Sequence, residues 1–159
     1  MRTATEPSTA PREAPRFGAV ENSLGQYCIN VTDLERSVEF WEQVIGIPVQ
    51  SRTEIPGARE VVLQAEIGGS RLQLAQHDDQ DGPIDMGNAL WKVYVDTDDC
   101  RALYAKAVAA GCESVMEPQE LDRWPVTVAF IKDPDGYLIE LVENHEGHRP
   151  SLRSGPSLR

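Results

Sequence analysis

The sequence predicts an α+β fold made of two βαβββ modules whose strands curl into a partly open, barrel-like cup. Three observations carry this. Residues 26–45 read as an alternating strand followed by an amphipathic helix, and residues 89–110 repeat that reading. Each pair is followed by about three further strand-like runs. An acidic stretch containing Gly and Pro, residues 78–88, separates the two halves.

In the first strand Tyr27, Ile29 and Val31 point one way, and Gln26, Cys28 and Asn30 the other. Thr32 and Glu35 have the spacing of a capping box, in which each side chain satisfies a free backbone donor of the other's turn. Leu34, Val38, Trp41 and Ile45 recur at helical spacing as a buried stripe, and Gly46 stops the helix. Strands are expected at 47–54, 59–67 and 71–77, with turns at Pro56-Gly57 and Gly68-Gly69.

The second module repeats the scheme. Ala89, Trp91, Val93 and Val95 share one strand face, and Leu90, Lys92 and Tyr94 the other. The following helix directs Cys100, Leu103, Ala107 and Val108 inward and ends at Gly111. Strands follow at about 113–117, 126–132 and 137–143. The turn between the last two is Asp133-Pro134-Asp135-Gly136, with proline at the second position and glycine at the fourth. In the last strand Leu138, Glu140 and Val142 oppose Ile139 and Leu141. The expected boundaries are a disordered tail over 1–22, a domain over 23–145 (modules 25–78 and 89–144, linker 79–88), and a second disordered tail over 146–159, where PSLR occurs twice.

The chain has 159 residues, 40% of them hydrophobic, and a net charge of -11. That acidity repels phosphate backbones and argues against nucleic acid. No apolar run approaches the ~20 residues that span a bilayer, and the N-terminus lacks the apolar segment of a secretory signal. Three dispersed cysteines without CxxC spacing fit free thiols in a reducing cytoplasm.

VTDLERSVEFWEQVIGI after the first strand and AFIKDPDGYLIELVE near the end make the chain resemble the vicinal oxygen chelate superfamily. That group includes glyoxalase I, bleomycin-resistance proteins, extradiol dioxygenases and methylmalonyl-CoA epimerase. The resemblance covers about residues 25–144, and its DPDGYxIEL stretch is the more specific part. It implies the cup fold, a small-molecule ligand or substrate and a homodimer. In metal-dependent members it also implies a divalent ion held by one ligand from the first and last strand of each module. Carried over, those positions are Gln26, Gln73, Leu90 and Glu140. Leucine stands where the family has histidine, and it coordinates nothing. Gln73 stands where glyoxalase I has its carboxylate base, and an amide takes up no proton. Two amides and a carboxylate leave room for at most a weakly held divalent ion, so no cofactor is expected.

Lys92 lies on the face of Leu90 and is expected to point into the cup, where Glu140 also points. A Lys92–Glu140 pair would supply the positive charge that a metal supplies elsewhere, with snorkelling of Lys92 to the rim as the plain alternative. Desolvation would lower the Lys92 pKa and make it a base or an imine-forming amine. The candidate catalytic residues are therefore Glu140 and Lys92. The candidate ligand-binding residues are Gln26, Asn30, Gln73, Leu90, Tyr94 and Trp124, the last expected in a loop over the cleft. His77 lies beyond the useful part of its strand, and His145 and His148 fall in a solvated tail. Two functions lead: metal-independent ligand binding or sequestration, and a glyoxalase-like lyase or isomerase acting through Gln26, Gln73, Glu140 or Lys92; a scaffold or interaction module, supported only by the acidic linker and the PSLR tail, is the third.

Overall fold

The computed structural model describes residues 25–65 and 70–146. The expected tails, the PSLR repeat, His148 and the Gly68-Gly69 turn lie outside them. The first module runs β1 (Tyr27–Asn30), α1 (Leu34–Glu39) with a π-helical continuation (Phe40–Ile45), β2 (Val49–Ile55), β3 (Ala58–Leu63) and β4 (Leu72–His77). The second runs β5 (Val93–Asp96), α2 (Cys100–Ala109), β6 (Ser114–Leu121), β7 (Trp124–Lys132) and β8 (Leu138–Asn144). Each module forms one unclosed four-stranded sheet, β1-β4-β3-β2 and β5-β8-β7-β6. In both sheets the module's first strand pairs parallel to its last, and the remaining neighbours are antiparallel.

One face of each sheet is buried under the helices. Ile29, Val61 and Leu74 from the first sheet join Val95, Ala129, Ile131, Ile139 and Leu141 from the second in a single core. Leu34, Val38, Phe40 and Trp41 enter it from the first helix, and Cys100 and Ala107 from the second. The burial of this continuous apolar surface is what holds the two modules together.

Several local expectations are corrected. Asp33, not Thr32, caps α1: its carboxylate accepts from Arg36 N at 3.1 Å, while Thr32 is drawn away to Asp135. The helix then widens, with Gly46 N donating to Trp41 O five residues back. That change of pitch turns both Phe40 and Trp41 inward, where they pack edge to face at 5.2 Å. Val108 is 40% exposed and does not join the core. Residues 89–92 precede β5 and pair with no strand, so they do not follow its alternation.

The expected loop between the strands at 113–117 and 126–132 is instead the tip of a long hairpin. β6 and β7 continue to Leu121 and Trp124, which pair across the two-residue turn. Register shifts around Met116 and Gln119 accommodate Pro118 within the ladder. Trp124 therefore begins a strand rather than sitting in a mobile lid.

Candidate functional site

The Asp133-Pro134-Asp135-Gly136 turn is a junction between modules. Asp133 Oδ1 accepts from the backbone N–H groups of Asp135 and Tyr137, and Gly136 turns the chain at φ 97°. The turn thereby aims Asp135, 2% exposed, at the start of α1. There Asp135 accepts from the Thr32 hydroxyl at 2.5 Å, Thr32 N at 3.2 Å and the Ser37 hydroxyl at 3.3 Å, with Arg36 at 3.6 Å. Tyr137 donates its hydroxyl to the Asn30 carbonyl at 2.8 Å. These contacts fix the start of β8, and therefore the position of Glu140.

Glu140 lies in a row across the second sheet, directly opposite Tyr94 on β5 and Phe130 on β7. The row faces away from the helices, because alternation sends Ile139 and Leu141 into the core. Lys92 folds over it. Its Nζ stands 2.5 Å from Glu140 Oε2, and both side chains are about 10% exposed. Its ammonium also lies 4.1 Å from the ring centroid of Trp91, 4.7 Å from that of Tyr94 and 5.3 Å from that of Phe130. Glu140 Oε2 makes no directed hydrogen bond, so the ion-pair contact with Lys92 compensates its burial.

Burial pulls the Lys92 pKa down, but the neighbouring Glu140 carboxylate and Tyr94 hydroxyl outweigh it and leave the ammonium above the ordinary lysine value. The expectation of a lysine lowered toward neutrality is corrected. Desolvation is present, yet the paired charge dominates.

A cavity of about 390 Å³ adjoins this cluster, lined by Met86, Leu90, Trp91, Lys92, Tyr137 and Leu138 among others. The end of the acidic linker forms one wall. Gln26, Asn30, Gln73 and Trp124 do not line the cavity. Gln26, just before β1, donates to Gln73 on β4 at 2.7 Å, which engages the Gln73 oxygen. Asn30 contributes its backbone carbonyl to Tyr137, and its side chain is exposed. Trp124 is 55% exposed at the hairpin tip, with the Arg123 guanidinium 4.9 Å from its ring centroid, and does not line the cavity. His77 is exposed at the end of β4. His145 is not merely solvated: its Nε2 stands 2.8 Å from the hydroxyl of buried Thr127.

Two participants were missed. Trp91, expected to share a strand face with Val93 and Val95 and opposite Lys92, is 76% exposed and sits beside the ammonium. Phe130 was assigned no face, although counting by twos from inward Ala129 and Ile131 places it outward.

Fold and site define a protein of paired βαβββ modules with a charged pair on one open sheet face. The family model of the Glyoxalase/Bleomycin resistance protein/Dioxygenase superfamily matches residues 23–141, and the chain belongs to that family. It is 30% identical over 124 residues to a probable lactoylglutathione lyase of Vibrio cholerae, covering 76% of this chain and 89% of that one. It is 28% identical over 123 residues to a lactoylglutathione lyase of Neisseria meningitidis, covering 75% and 88%. Among solved structures, glyoxalase I from Zea mays superposes with a TM-score of 0.68 at 22% identity, over 76% of this chain and 44% of that one. An antibiotic-binding protein from Streptomyces gives 0.63 at 20% identity, over 79% and 98%.

The residues at the family's metal positions do not fit a metal ion. The Gln73 oxygen already accepts from Gln26, Leu90 has no donor atom, and the Glu140 carboxylate already faces an ammonium. Among the described residues no group of three or more His, Cys, Asp or Glu side chains converges as ligands would.

Proposed function

We propose that this protein binds a small oxygen-bearing molecule on the open face of its second sheet without a resident metal, as a sequestering or carrier protein. The observation that carries this reading is the Lys92 ammonium lying against Glu140, where metal-dependent relatives would need a free carboxylate. Apolar stacking surface from Trp91 and Tyr94 beside a 390 Å³ cavity suits a compact ligand with a flat body. Lys92 has N–H groups beyond the one facing Glu140 with which to hold a ligand oxygen.

A second reading, a lyase or isomerase of glyoxalase type, is favoured by the lactoylglutathione lyase relatives. Here it would run through Glu140 or Lys92, because Gln73 takes up no proton. We place the chain in the cytoplasm, on the support of three free thiols, and as a homodimer, on the support of two sheets left unclosed with exposed Tyr27, Trp91 and Tyr94.

The test is a thermal-shift screen of small carbonyl and carboxylate compounds, followed by titration against Lys92→Met and Trp91→Ala. A ligand that stabilises the native chain and neither variant supports the reading. Binding that both variants retain contradicts it. Turnover of a hemithioacetal that Glu140→Gln abolishes would establish the second reading instead.

A further inference from the structure

Three aromatic rings and one carboxylate surround a single ammonium in this structure. Their centroid distances of 4.1, 4.7 and 5.3 Å are those at which ring quadrupoles attract a cation. The carboxylate lies at 2.5 Å, and its nearer oxygen has no directed hydrogen bond. This is the composition of a receptor for an organic monocation. A divalent ion asks for several oxygen, nitrogen or thiolate donors, and ring faces supply none. Trp91 and Tyr94 are both largely solvent-exposed, so the outer side of the box is open to an entering cation. The corresponding row of the first sheet, Cys28, Gln73, Val62 and Ser51, carries no charge and no ring. The box therefore belongs to the second module alone and is not imposed by the repeat.

We propose that Trp91, Tyr94, Phe130 and Glu140 form a binding site for a primary alkylammonium group, which Lys92 fills from within the chain, so that this tethered cation and a metal ion exclude each other at Glu140. The inference rests on the metal-free reading above and deepens it by naming the cation that stands in the metal's place. Because Lys92 neutralises Glu140, the native site offers a ligand hydrogen-bond donors and stacking surface with no net charge. Removing the lysine amine leaves a carboxylate and three rings with room for an external ammonium.

The experiment uses the full chain. Lys92→Ala is titrated with ethylammonium chloride, with sodium chloride at equal ionic strength as control, and followed by thermal melting. Ethylammonium is expected to raise the melting temperature of Lys92→Ala saturably, and to leave the wild type and the Lys92→Ala, Glu140→Gln double variant unmoved. No saturable response, or an equal one in the wild type, overturns the inference. Should Lys92→Ala fail to fold, the wild type carries the test by NMR. The Lys92 ε-methylene protons are expected upfield under the ring currents and nearer their free position in Trp91→Leu. Unperturbed ε-protons in the wild type overturn the box. A parallel titration with Ni²⁺, Zn²⁺ and Mn²⁺ separates the two claims. Stoichiometric metal on the wild type overturns the metal-free reading and the box together, whereas an inert metal arm with an unresponsive Lys92→Ala overturns the box alone.

Discussion

Replacing Asp135 with alanine probes how the two modules are locked together. The Asp135 carboxylate is buried and accepts three hydrogen bonds from the start of α1, with Arg36 alongside. A hydrogen bond to a charged group contributes about 1.5–3 kcal/mol, and a donor left buried without a partner costs about 1–3 kcal/mol. The three bonds share one acceptor and do not add in full, so the expected loss is about 3–5 kcal/mol. In a domain of this size each kcal/mol lowers Tm by roughly 2–4 °C, so the shift is on the order of 10 °C. Urea unfolding of Asp135→Ala and Asp135→Asn against the wild type measures it. Asparagine keeps one acceptor oxygen, so its loss is expected to fall between the other two. A loss for Asp135→Ala below about 1 kcal/mol, the level of a surface substitution, would refute the clasp.

Other predictions concern titration, strain and thiols. Burial, together with the Asp135 charge, pushes the Asp133 carboxyl up to about 6 against the backbone N–H groups that favour its ionised form. The folded state therefore holds this proton to higher pH than the unfolded chain does, and the group's contribution to stability falls as pH rises from about 4 to about 6. Asp133→Asn lacks that dependence, so its stability relative to the wild type is expected to rise across this window; a flat difference in urea melts would contradict the assignment. Gly46→Ala meets no steric contact but stands at φ 89°, so it is expected to cost about 1–2 kcal/mol from backbone strain alone. With a thiol-reactive disulfide reagent at pH 8, Cys28 is expected to react first, slowed by a raised pKa. Buried Cys100, raised to about 11, is expected to react only on unfolding.

The repeat was legible because helix and strand periods differ, and because Gly46 and the Asp133–Gly136 turn mark their ends unambiguously. The reading that paired Lys92 with Glu140 placed Lys92 on a strand face, yet Lys92 lies before β5, and it is the path of the chain into that strand that brings its ammonium to Glu140. What composition hid was geometry at the margins of elements. Polar, proline-marked residues 118–125 read as a loop, yet cross-strand pairing with bulges keeps them in a hairpin. Trp91 lies just before β5, where alternation does not hold, so its side chain could not be placed by counting. The direction of the Lys92 pKa depends on a distance, 2.5 Å to Glu140, which no residue pattern supplies. The hydrogen bond from Gln26 to Gln73 was not legible, because Gln26 lies just before β1 and β4 sets Gln73 opposite Cys28.

The central claim is that an ammonium, and not a metal ion, balances Glu140. Its most direct measurement is the metal content of full-length protein purified without a histidine tag, alongside thermal melts with Ni²⁺, Zn²⁺, Co²⁺, Mn²⁺ and Mg²⁺. The expected result is substoichiometric metal and no stabilisation by any of the five ions. Stoichiometric metal that disappears in Glu140→Ala would contradict the claim and restore a metal-dependent site.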